Sequence, residues 1–139
     1  MNQDEFVAAL LRALELERTS GMLTKRWLDA GGRESPVYDI LERHAAEDEN
    51  HGQSLWDLLV DRGIAPPETP EVETPVDYPQ VLISLKEALV DLFDQTGVQG
   101  EAPGALTGRE RQTLKRLRAE DDDQRALLSV YFPEHLPSV

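Results

Sequence analysis

The chain has 139 residues, with 27 Asp and Glu against 14 Lys and Arg, a formal charge of −13, and no cysteine. At this length one core can bury about two thirds of the unfolded surface, so a single domain over 1–139 is expected without disulfides. The missing thiol excludes thiolate nucleophiles and Cys-based zinc or iron–sulfur centres, and the negative balance argues against nucleic acid or an anionic membrane as partner and favours cations.

MNQDEF is acidic and opens an amphipathic segment, so no signal peptide is expected, and no apolar run reaches the roughly 20 residues of a membrane span. The expectation is a cytoplasmic protein. Twenty Leu and few β-branched pairs favour helices. The first helix is expected over 4–30, stopped by Gly31 and Gly32. The second spans 35–62, with Ser35 as cap, Pro36 at its first position and Gly63 beyond its end. The third covers 78–95, with Val81, Leu85, Ala88 and Leu92 as its stripe, and stops at Gly97. The fourth covers 107–132, opening on a capping box of Thr107 and Glu110 and ending at Pro133.

Gly31 and Gly32 allow only a tight turn, so the first two helices form an antiparallel hairpin, and a Gly/Pro loop joins the last two the same way. Between the hairpins lies the linker 64–77, IAPPETPEVETPVD, with four Pro and four acids. As polyproline II it can reach roughly 43 Å, against roughly 39 Å for a 26-residue helix. It can therefore cross the full bundle and make helices two and three parallel. A flexible linker in an up-and-down bundle is the alternative.

In helix two the core stripe reads Ile40, Leu41, His44, Glu47, Asp48, His51, Leu55 and Leu58, so its middle turns are ionisable. Helix four repeats this with Leu114, Leu117, Asp121, Gln124 and Leu128. Asp48 with His51, and Asp121 with Gln124, each put an acid and a second polar group on one helix face. Unpaired carboxylates cost several kcal/mol to bury, so these must be paired, protonated or bound to a metal. The midpoint between Glu15 and Asp48 falls in the Gly31–Gly32 turn, and that between Glu87 and Glu120 falls in the last loop. Each hairpin thus sets an acid level with its cluster. Glu17 competes with Glu15 because it follows the stripe of Leu10, Leu14 and Leu28 more closely, while Glu87 sits toward the edge of its helix.

On AAEDENHGQSL and the polar stripes, the chain resembles the ferritin-like superfamily, especially rubrerythrin-like and bacterioferritin-like proteins. The resemblance implies an all-α, ferritin-like four-helix bundle of two antiparallel hairpins joined by a long Pro-rich crossover. It also implies two metal ions held by a Glu from each of two helices and a Glu-x-x-His from each of the others. Carried over, Glu15 matches the first-helix Glu, Asp48 and His51 the second-helix pair, and Glu87, Asp121 and Gln124 the second half. Asp48 stands where Glu is usual and Gln124 where His is usual. Glu17, His44, Glu47 and Glu120 are alternates.

Two functions follow. One is a carboxylate/His site for iron or manganese, with metal oxidation or a storage-related role, in a protein that pairs as a homodimer. The other is a bundle of the same ancestry that has lost its metal and serves as an interaction or structural module, its acids neutralised by Arg18, Arg118 and Arg125. His135 lies in the tail, Trp27 and Trp56 pack, and no Ser–base arrangement or phosphate loop is present.

Overall fold

The computed structural model describes residues 2–30, 37–68, 78–96 and 106–131. Among them are four helices and no strand: α1 (Gln3–Asp29), α2 (Tyr38–Asp61), α3 (Tyr78–Gln95) and α4 (Gly108–Tyr131). The Gly31–Gly32 turn, Ser35 and Pro36, linker residues 69–77, Gly97, the loop to 105, Pro133 and His135 lie outside the described residues. No described helix is long and apolar enough to cross a membrane.

Local chemistry sets the ends. Asn2 caps α1, its side-chain oxygen accepting the Glu5 N–H at 2.8 Å, and Asp4 and Glu5 in the first turn with Arg26 in the last complement the helix dipole. At the end of α2, Gly63 takes φ +78°, its N–H donates to Val60 O, and the Ile64 N–H donates to Leu59 O, both at 2.9 Å. This is a Schellman stop, which needs a left-handed residue, and Ile64 completes it by packing against the Leu59 cluster. The capping box forms at α4: the Glu110 N–H donates to Thr107 Oγ1 at 3.1 Å, and the Thr107 N–H donates to Glu110 Oε1 at 2.9 Å. Arg62 also pairs with the Glu110 carboxylate, tying the end of α2 to the start of α4.

Helix α1 packs on α2 and α3, and α4 packs on α3 and α2. The apolar interior falls into two clusters. One gathers Phe6, Leu10, Leu14, Leu55, Leu58, Leu59, Leu89, Phe93, Leu114 and Leu117 from all four helices. The other gathers Leu23, Leu28, Leu41, Tyr78, Leu82, Ile83 and Leu128, with Trp27 stacked on Tyr78 at 5.3 Å between ring centroids.

The inward face of α3 differs from the expected stripe. Tyr78, Leu82, Ile83, Lys86, Leu89, Val90 and Phe93 are buried, whereas Val81, Leu85 and Leu92 are half-buried and Ala88 is exposed. The helix is turned by about one residue because the aliphatic stem of Lys86 completes the apolar stripe once its ammonium finds partners inside.

Candidate metal centre

Between the two apolar clusters runs a polar layer, with Glu17, Ser20 and Thr24 from α1, His44, Asp48 and His51 from α2, Lys86 from α3, and Asp121 and Gln124 from α4 all buried. Spacings of three and four residues put each set on one helix face, so the four faces meet. His51 Nδ1 lies 3.1 Å from Glu17 Oε2, 3.4 Å from Asp121 Oδ1 and 4.0 Å from Asp48 Oδ1. Its Nε2 lies 3.1 Å from Glu120 Oε2, and Glu120 also pairs with Arg116 at 3.5 Å. Lys86 Nζ donates to Asp48 Oδ1 at 2.5 Å and to Asp121 Oδ1 at 3.0 Å.

A hydroxyl chain supports this layer. Ser20 donates to Asp48 Oδ2 at 2.7 Å, Thr24 donates to the Ser20 carbonyl at 2.9 Å, and the Tyr78 hydroxyl donates to Thr24 Oγ1 at 2.8 Å. Gln124 Nε2 donates to Glu47 Oε2 at 3.2 Å. Among the described residues, four buried side-chain atoms have no hydrogen-bond partner: Glu17 Oε1, Asp121 Oδ2, Gln124 Oε1 and His44 Nδ1. Two of these are carboxylate oxygens, which are costly to leave bare in a low-dielectric interior.

Electrostatics sort the titratable groups. Burial pushes the Glu17 carboxyl well above its ordinary range, against the pull of Lys86 and with the help of Asp121. Burial also raises the Asp48 carboxyl, opposed by Lys86. For Asp121, burial is outweighed by Lys86 and by hydrogen bonds to Glu17 and His51, which hold its carboxyl low. Burial disfavours the charged forms of His51 and Lys86, yet the surrounding carboxylates win in both. Hydrogen bonds to Asp121 and Glu17 raise His51 to about 11, and Asp48, Glu17 and Asp121 raise Lys86 above the ordinary ammonium range. Two cations, Lys86 and His51, thus face three carboxyl groups, and the upward shifts of Glu17 and Asp48 lessen the negative excess.

One ligand atom from each of Glu17, Asp48, His51 and Asp121 lies within 4.8 Å of the others, so this buried group can hold a metal ion. The Glu17 and Asp121 oxygens that receive no hydrogen bond are available to a cation, while the Lys86 ammonium already pairs with both Asp48 and Asp121.

Several residues singled out from sequence lie elsewhere. Glu15 points to solvent and pairs with Arg12 at 2.8 Å; Glu17, two residues on, holds the buried position. Glu87 is half-buried and outside the group, and its neighbour Lys86 faces inward instead. Glu47 and Glu120 border the layer through Gln124 and His51, and His44 is buried beside it. The guanidiniums of Arg18, Arg118 and Arg125 pair outside this layer. Arg18 donates to the Pro67 carbonyl at 2.9 Å and lies over Trp56, Arg118 pairs with Asp94 at 2.8 Å, and Arg125 pairs with Asp122 at 2.7 Å. Sequence reasoning missed Lys86, Ser20, Thr24 and Tyr78. A signal for Lys86 was present, since it is the lone base of α3 and sits between Leu82 and Leu89 on the apolar face.

Compared with protein-family models, curated proteins and solved structures, the chain matches none.

Proposed function

We propose that the chain is a ferritin-like four-helix bundle, folded as one domain, in which Glu17, Asp48, His51 and Asp121 hold one iron or manganese ion for metal oxidation or a storage-related role. The observation that carries this reading is the convergence of four ligand atoms within 4.8 Å in a buried layer with bare oxygens on Glu17 and Asp121. Leu41 near the start of α2 shares a cluster with Tyr78 and Leu82 at the start of α3. That grouping supports parallel α2 and α3 and a linker that crosses the bundle, the ferritin-like connection.

Charge balance supports a single divalent ion. Such an ion plus Lys86 equals the three carboxylates when His51 is neutral, so binding exchanges two protons, from Glu17 and His51, for one metal. Bound iron or manganese would supply one-electron exchange with O₂ or peroxide. Ser20 fixes the Asp48 carboxylate by holding Oδ2, which leaves Oδ1 inward with Lys86. Gln124, steadied by Glu47, keeps Oε1 free to accept from a water.

Lys86 favours a second reading, a metal-free bundle whose acids are closed by an internal ammonium and which serves as an interaction or structural module. One experiment separates the two. Protein purified without chelator is assayed for metal and then titrated anaerobically with Fe(II) and Mn(II). The first reading requires one ion per chain, lost in Asp48→Ala and His51→Ala; no binding, and a melting temperature indifferent to metal and chelator, selects the second.

A further inference from the structure

Between α1 and α2 a cavity of about 190 Å³ opens onto the polar layer. Glu17 and Asp48 form its inner wall, although they are 0% and 1% exposed as residues. Gly21 of α1 lies against Asp48 and Ala45 of α2, Gly52 of α2 lies against Arg18 and Leu14 of α1, and both glycines line the cavity. Their missing side chains are what keep it open: a Cβ on Gly21 would stand 3.3 Å from Asp48 Cβ, and one on Gly52 would stand 3.7 Å from Arg18 Cγ. A helix-interior glycine costs about 1 kcal/mol relative to alanine, so two that line one cavity trade stability for space.

The chemistry of the wall defines the guest. Glu17 lines this cavity, and its buried Oε1 receives no hydrogen bond, so the carboxyl can accept from a donor that arrives there. At the rim, Lys25 and Glu49 pair at 2.6 Å and cancel, and Arg18 is engaged by the Pro67 carbonyl and the Trp56 face. An acidic inner wall behind a largely self-compensated rim suits a small hydrated cation, whose waters donate to Glu17 and Asp48 before inner ligands replace them. The opposite seam, between α2 and α4, is lined by Ala46, Glu47, Asn50, His51 and Glu120, but there the His51 nitrogen is already taken by Glu120 at 3.1 Å.

We propose that the Gly21–Gly52 seam is the entrance through which a hydrated divalent cation reaches Glu17 and Asp48. This rests on the metal-binding reading above. The test is stopped-flow mixing of the full chain with Co(II), followed by the visible absorption of the bound ion, in wild type, Gly52→Leu, Gly52→Ala and Ala46→Leu. Gly52→Leu fills the seam without replacing a ligand and is expected to slow loading and chelator-driven release at least tenfold, with stoichiometry unchanged. Gly52→Ala, whose methyl clears its neighbours, is expected to slow loading about twofold and carries the test should the larger variant not fold. Ala46→Leu, at the other seam, is expected to load like wild type. Equal loading rates in wild type and the Gly52 variants, or slowing in Ala46→Leu alone, overturn the entrance while leaving the site standing. No Co(II) uptake by wild type overturns the metal reading and the entrance with it.

Discussion

The sharpest perturbation of the polar layer is Lys86→Met, which keeps the apolar stem and removes the charge. Its ammonium serves Asp48 Oδ1 at 2.5 Å and Asp121 Oδ1 at 3.0 Å, and both acids are at most 1% exposed. Removing one partner of a buried pair costs about 3–5 kcal/mol, because a charge stays behind without compensation. Here Asp48 keeps its hydrogen bond from Ser20 and Asp121 keeps His51 nearby, which argues for the lower end. A loss of about 3 kcal/mol is therefore expected at neutral pH, or roughly 10 °C in melting temperature for a chain of this size. Denaturant unfolding in the presence of a chelator measures it. Lys86→Met/Asp48→Asn should recover part of the loss, since one stranded charge is gone. Adding Mn(II) in place of chelator should return about 2.7 kcal/mol at a hundredfold excess over Kd. Stability equal to wild type in chelator, with no gain from the second substitution, would refute the claim that Lys86 neutralises the interior.

Two further outcomes concern stability alone. Burial first, then the charges of Lys86 and Arg43, lower His44 from 6.5 to about 4. The unfolded chain therefore takes up a proton that the native one refuses between those values, and stability falls as pH drops from about 6.5 to 4. The fall attributable to His44 is at most about 3 kcal/mol. Urea midpoints from pH 4 to 7 should decline less steeply in His44→Gln than in wild type, and parallel curves would sink the assignment. Gly63 holds φ +78° at the end of α2, with no atom within 4 Å of a Cβ built there, so Gly63→Ala should cost about 1 kcal/mol through backbone strain alone. Thermal melts that match wild type would contradict it.

Much of this arrangement was legible in the residues, for identifiable reasons. Helix ends fixed by local chemistry, such as Gly63 after α2 and Thr107 with Glu110 at α4, depend on a few neighbours and can be read directly. The mixed stripes of α2 and α4 put Asp48, His51, Asp121 and Gln124 inward, and all four are buried. Counting heights from the hairpin turns chose Glu15 over Glu17 because height carries no information about rotation, and two residues on a helix differ by about 200°. Lys86 is not legible as an interior residue, because a lysine is ordinarily at the surface. Its inward course depends on two acids on other helices, which no pattern within α3 contains.

The ammonium of Lys86 also bears on how the two hairpins find each other. Left by itself, the α1–α2 pair carries Glu17 and Asp48 with only His51 to offset them, and α4 carries Asp121. Sliding α3 by one helical turn, about 5.4 Å, would strand its sole base against leucine and take the ammonium away from both aspartates. Apolar packing tolerates such slippage, because one Leu layer much resembles the next. A single cation set among three acids does not, so it acts as a register pin that admits one alignment of the halves and penalises mispaired or domain-swapped assemblies.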